Sequence, residues 1–148
     1  RESEMSDEDH HRKLERMYVS APCNDYYRPR IAISRGQAEV SLEIREDFFH
    51  GAGAAHGSVY FKMLDDAAFF ACNSLVRERL VLTVHFNVQL LRPVSQGTLR
   101  AVGEVVSRSR HLLFGQSRIY DERDREIACG SGTFQKSSIP LSPQVGYA

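Results

Sequence analysis

Two hydrophobic patterns divide this chain. From His50 to Leu75, HGAGAAHGSVYFKMLDDAAFFACNSL, a glycine- and alanine-rich loop passes into an almost unbroken apolar run. Its length and lack of alternation predict a helix over residues 57–75, hydrophobic nearly all round and so enclosed by the rest of the structure. Downstream, apolar and polar residues alternate. Over residues 80–91, Leu82, Val84, Phe86, Val88 and Leu90 face one way and Thr83, His85, Asn87 and Gln89 the other, which predicts a strand. Further strands are predicted over 98–107, 112–121 and 126–135, with turns near 108–110 and 122–125. Upstream, residues 31–34 and 37–45 read as two strands joined at Arg35-Gly36, the second with Ala38, Val40, Leu42 and Ile44 on one face. In the last strand Ala128, Gly130 and Gly132 share a face, small enough to let the central helix approach. The pattern as a whole predicts an α+β fold, an antiparallel sheet wrapped around one long central helix.

The flanks extend a single domain over residues 1–148. Residues 1–29 hold a short helix, Ser6 to Tyr18, and a connector. Ser6 with Asp9 makes a capping pair, and Leu14, Met17 and Tyr18 form a narrow apolar stripe. The adjacent His10 and His11 read as a solvated pair, since neighbours on a helix do not face one site. Tyr26 and Tyr27 in the connector are expected to cover edges of the core. The core occupies 30–136, and the tail 137–148, with Pro140 and Pro143, is expected to be irregular and mobile.

Charge and cysteine content remove several function classes. Lysine plus arginine equals aspartate plus glutamate at 19 each, so nothing argues for a nucleic-acid partner or an anionic membrane surface. The apolar run carries Lys62, Asp65 and Asp66, which argues against a membrane span. Cys23, Cys72 and Cys129 are odd in number and far apart, which fits a reducing compartment and supplies no zinc motif. Residues 1–17 are charged, no signal peptide is read there, and a cytoplasmic location is expected. No cofactor or metal is expected, since His50, His56 and Asp65 lack a recognisable ligand spacing.

The central helix carries the candidate chemistry. Lys62 and Asp66 stand four residues apart, so Asp66 can lie beside an ammonium. Asn73 extends that polar stripe. Asp65 points roughly 100° away, toward Phe61, Ala68 and Cys72, without a local cation. Apolar surroundings raise a carboxylate's pKa toward the range of a general base; the other reading is that Asp65 accepts hydrogen bonds from a neighbouring strand or subunit. Gly51, Gly53 and Gly57 let backbone approach a ligand, and the helix start offers free N–H groups suited to an oxyanion. His56 and Ser58 can equally serve only as caps. Asp65 lies eight residues beyond Gly57, about 12 Å along a helix, so one carbonyl cannot touch both. If both act on one substrate, the second comes from another subunit, and a two-fold dimer supplies two shared sites.

The stretch HGSVYFKMLDDAAFFACNSL resembles the signature helix of hotdog-fold acyl-CoA thioesterases, in the phenylacetate-pathway (PaaI-type) branch of the 4-hydroxybenzoyl-CoA thioesterase superfamily. His56-Gly57-Ser58 and Asp65 match that branch's His-Gly-Gly and its aspartate nine residues after the histidine, and VHFNVQLLRPVSQG and ACGSGTF fit the downstream strands. The resemblance covers roughly residues 30–135. It implies that the Gly57 amide polarises the thioester carbonyl and that His56 shapes the carbonyl end of the site. Asp65 of the partner subunit then activates water or attacks as a nucleophile, and Thr83 stands near the reacting water. It implies a homodimer, with a homotetramer left open, and coenzyme A as part of the substrate. Arg108, Arg110 and His111 fall where relatives place basic residues near phosphate. Three positions depart from the family pattern. His50 replaces the usual asparagine, Ser58 replaces the second motif glycine and can crowd the acyl path, and Asp66 follows the catalytic aspartate where a small polar residue is common. A non-catalytic acyl-CoA binder and a hotdog enoyl-CoA hydratase remain the alternatives. Phe48, Phe49, Phe61, Phe69 and Phe70 are read as either core or the lining of a medium-chain or aryl pocket.

Overall fold

The computed structural model describes residues 5–148. Helix α1 spans Asp7–Ser20, with Ser6 at its N-cap accepting a hydrogen bond from the Asp9 amide, and the single-turn helix α2 spans Asn24–Tyr27. Strands β1 (Arg30–Ser34) and β2 (Gln37–Glu43) form a hairpin through Gly36, whose φ of 74° suits glycine. Helix α3, Gly57–Asn73, is followed by β3 (Arg79–Leu90), β4 (Thr98–Arg108), β5 (Leu112–Tyr120) and β6 (Glu126–Pro140). All pairings are antiparallel, in the order β1-β2-β4-β5-β6-β3, and α3 lies across the sheet in contact with every strand. This is the hotdog arrangement that the resemblance implies. No helix is long and apolar enough to cross a membrane among the described residues.

The enclosure of α3 follows from its sequence. Val59, Met63, Leu64, Ala67, Ala68, Ala71 and Cys72 are all buried, as the all-round apolar pattern requires. Ala38, Val40, Leu42 and Ile44 of β2 and its extension face the same core. Buried Ser117 of β5 donates its hydroxyl to the Leu64 carbonyl at 2.7 Å and so fixes the middle of the helix to the sheet.

Several expectations change. The glycines that admit the helix are Gly103 in β4 and Gly115 in β5, where an added Cβ meets Ala67 backbone at 2.3 Å and the Cys72 sulfur at 3.2 Å. Gly130 and Gly132 instead face β3, whose Phe86 ring lies over them across the strand pair. The regular alternation of β3 also fails. Thr83 reaches α3, and Phe86, three residues on, also packs against the core, because a bulge falls between Thr83 and His85. His10 and His11 are buried rather than solvated, with His10 fully enclosed between Tyr147 and the end of α3. The tail is ordered: β6 continues to Pro140, a 3-10 turn covers Pro143–Val145, and Tyr147 is buried.

Asn73 does not extend the polar stripe of Lys62 and Asp66 either. It is fully buried, its Nδ2 donates to the Val76 and Arg79 carbonyls, and its Oδ1 accepts from the Val81 amide. This single side chain fixes the reversal from α3 into β3. Asn73→Ala leaves three backbone groups unpaired and is expected to cost about 3 kcal/mol, measured by urea unfolding; a loss under about 1 kcal/mol is incompatible with that role.

Candidate active site

Asp65 and Asp66 project from α3 into one cavity of about 550 Å³ between α1, β3 and the C-terminal segment. Their surroundings separate them. Asp66 accepts from Lys62 at 2.8 Å and from the Tyr18 hydroxyl at 2.6 Å, so it has two donors, one of them a cation. Among the described residues Asp65 has one donor, the Thr83 hydroxyl at 2.8 Å on its Oδ1. Burial pushes its pKa up to about 6, opposed by the Thr83 bond, with the neighbouring Asp66 charge adding a further upward push. A carboxylate of that pKa is ionised at neutral pH and basic enough to take a proton from water. The Lys62–Asp66 pair is therefore found as the helix spacing predicts, whereas Asp65 opens into the same cavity as that pair instead of facing away toward Phe61, Ala68 and Cys72. Phe69 and Phe70 line this cavity, whereas Phe48 packs with Tyr26 and Tyr27 elsewhere.

The start of α3 forms a second cleft, lined by His50, His56, Gly57, Tyr60 and Leu90 among others, that shares no lining residue with the first. His56 is the N-cap. Its Nδ1 accepts from the Ser58 amide at 3.0 Å and lies 2.9 Å from the Ser58 hydroxyl. The Gly57 N–H, one residue earlier, forms no hydrogen bond among the described residues and lies at the positive end of the helix dipole. A Cβ at Gly57 would come within 2.9 Å of Leu90 Cδ1, so a side chain there would displace the leucine that lines this cleft. His50 Nδ1 accepts from the Ala52 amide at 3.1 Å, and the His50 and His56 rings stand 6.5 Å apart. Ser58 turns to His56 and lines neither cavity.

A third cleft lies at the other end of α3. Arg110 and His111 line it with Arg35, Arg77, Arg79 and Lys136, while Arg108 is exposed outside it. Arg77 is tied to Asp7 and the Met5 carbonyl. Arg79 and Lys136 join Arg110 and His111 through β3–β6 pairing, a long-range contact that sequence spacing does not show. Among the described residues no group of three metal-ligating side chains is placed to hold an ion.

Comparison with known proteins matches residues 52–128, which include α3, to a family model described as "Thioesterase superfamily". A curated relative from Mycobacterium tuberculosis, "Putative esterase Rv1847", is 29% identical over 102 residues, spanning 66% of this chain and 73% of its own length. Among solved structures, the PaaI protein from the E. coli phenylacetic acid degradation operon superposes with a TM-score of 0.83 at 20% identity, covering 92% of this chain and 99% of that one. Thioesterase HI1161 from Haemophilus influenzae gives 0.75 at 18% identity, covering 90% and 91%.

Proposed function

The chain belongs to the thioesterase superfamily, and from that premise we propose that it hydrolyses an acyl-coenzyme A thioester to a free acid and coenzyme A, at sites shared between two subunits. The observation that carries this reading is Asp65: a carboxylate with its pKa lifted to about 6, one oxygen held by Thr83, and no cation bound to it, at the edge of an apolar cavity. Water deprotonated by Asp65 attacks the thioester carbonyl, the oxyanion is met by a free helix-start N–H, and the departing thiolate needs little protonation. A nucleophilic attack by Asp65 itself uses the same placement.

Two features support the shared site. The two clefts are separated along α3 by eight residues, about 12 Å. Strand β3 is also one of the two edges of the sheet, the one that α1 does not pack against, and exposes Leu82 at 44%, Val84 at 58% and Leu90 at 51%, an apolar edge that calls for a partner. Antiparallel pairing of β3 about a two-fold axis runs the two α3 helices in opposite directions, and a register centred between Thr83 and Leu90 brings Asp65 opposite Gly57 of the partner subunit. In the same reading His56 orients the loop that carries Gly57, His50 holds that loop through Ala52, and the cationic cleft with Arg110 and His111 receives the phosphates of coenzyme A. The setting is the reducing cytoplasm, consistent with three unpaired cysteines.

The test is release of free thiol from a panel of acyl-coenzyme A esters. Turnover is expected, with kcat/KM constant above pH 7 and falling tenfold per unit below about pH 6 as Asp65 takes up a proton. Binding of the esters without thiol release identifies a non-catalytic binder, and addition of water to an enoyl ester identifies a hydratase.

A further inference from the structure

The cavity beside Asp65 has a wall that lies outside the matched family region, residues 52–128. On one side stand Met17 and Tyr18 of α1, and on the other Val145 and Gly146 of the C-terminal segment. These two segments are fastened to each other and to α3. His10 Nε2 donates to the Asn73 carbonyl at 3.0 Å, which leaves its Nδ1 to accept from the Tyr147 hydroxyl at 2.7 Å. Burial holds the His10 pKa below its ordinary value, in keeping with that neutral state. Arg16 Nε donates to the Ala148 carbonyl at 2.7 Å. Gly146, with φ of 89°, turns the chain so tightly against α1 that a Cβ there would lie 2.8 Å from Ser20 Oγ. Val145 is thereby held, partly buried, against the core.

We propose that this cavity takes the acyl chain of the thioester and that Val145, positioned through the His10–Tyr147 bond, sets the longest chain that fits. The inference rests on the thioesterase reading. Its chemistry follows from what the cavity offers. Phe69, Phe70, Leu80 and Leu82 give it an apolar surface, and its one cation, Lys62, is paired with Asp66. Phosphates find no free counter-charge there, whereas a hydrocarbon leaves water for an apolar wall. The carbonyl carbon must lie at Asp65 and Thr83, so the chain runs from that end toward Val145. A volume of about 550 Å³ is ample for a medium-length or aryl group.

Each methylene that enters the cavity is expected to raise kcat/KM about fourfold until the wall is met, and chains beyond that point lose the gain. The experiment measures kcat/KM for straight-chain acyl-coenzyme A esters from two to fourteen carbons, roughly the span such a pocket can resolve, with wild type, Val145→Ala and Val145→Trp. Calorimetric binding of the corresponding free acids is measured in parallel. Val145→Trp is expected to move the optimum to chains shorter by about two to four carbons and to cut the rate on the best wild-type ester at least tenfold, while the shortest esters change less than about threefold. Val145→Ala moves the optimum the other way and guards against misfolding of the bulkier variant. Identical length profiles for all three proteins, in hydrolysis and in acid binding, overturn the inference. If no ester is hydrolysed but the binding profile still follows residue 145, the thioesterase reading fails and the wall stands.

Discussion

Asp65→Asn is expected to lower kcat/KM for thioester hydrolysis by about 10²–10⁴-fold and, at neutral pH, to make the protein more stable. The two effects have one cause. Amide replaces carboxylate with almost no change in shape and still accepts from Thr83, but it cannot take a proton from water. The stability effect follows from the raised pKa of about 6, against an ordinary value of 3.8. A carboxyl that binds its proton more tightly in the folded state penalises folding once it is ionised. That penalty is absent at pH below 3.8, grows between there and about 6, and is complete above 6. A pKa raised from 3.8 to about 6 sets an upper bound of about 3 kcal/mol on the penalty. Asp65→Asn therefore gains between about 1 and 3 kcal/mol at pH 7 and little near pH 4. Initial rates and thermal melts at both pH values read the two effects together. Asp66→Asn serves as the contrast: it weakens the contacts to Lys62 and Tyr18 and leaves the base in place. Should Asp66→Asn be the inactive variant, or Asp65→Asn keep more than about a tenth of the activity, the assignment of the base is wrong.

The division of labour between these neighbouring acids is legible in the sequence because it depends on local geometry. The Lys62–Asp66 spacing of four residues gives Asp66 its cation, and Asp65, one residue earlier, is left to the Thr83 hydroxyl although both acids line one cavity. The enclosure of α3 and the burial of one face of β2 are legible for the same reason, since the helical and strand periods are properties of a short window. What the sequence hides depends on partners far along the chain. His10 looks like a surface histidine until Tyr147 and the Asn73 carbonyl, 137 and 63 residues away, enclose it. The tail from Ser137 lacks alternation and carries two prolines, yet Arg79 pairs with Pro140 and the Ser137 hydroxyl donates to the Leu80 carbonyl, so β3 supplies the order that local sequence does not. The glycines of β6 face β3 and not the helix expected there, because a small face says only that something approaches. The bulge after Thr83 brings Phe86 over them, and it equally turns Thr83 toward Asp65. The irregularity that defeats the strand pattern is thus part of what builds the candidate site.

The largest loss of stability is expected at Gly103, where the sheet meets α3 most closely. A Cβ on Gly103 would lie 2.3 Å from the Ala67 carbonyl carbon, 2.4 Å from its oxygen and 2.6 Å from the Ala68 nitrogen. All three are backbone atoms of a buried helix and cannot rotate away, so the strand or the helix must shift as a body. Gly103→Ala is therefore expected to cost about 3 kcal/mol or more and to lower Tm by roughly 10 °C or more. Gly115→Ala provides the comparison. Its nearest contacts are the Cys72 sulfur at 3.2 Å, which can rotate, and the Ala68 Cβ at 3.3 Å and carbonyl oxygen at 3.4 Å, all far looser than at Gly103, and it should cost less than half as much. Equal losses at the two positions would show that the helix is free to move off β4. The consequence reaches the chemistry as well. Ala67 lies two residues beyond Asp65, and Thr83 belongs to the other end of the sheet order, on β3. Displacing α3 from β4 moves Asp65 relative to Thr83 and opens the 2.8 Å bond between them. Folded Gly103→Ala protein, assayed well below its own Tm, should accordingly lose kcat more than it loses affinity, because the base is displaced while the apolar walls of the cavity remain.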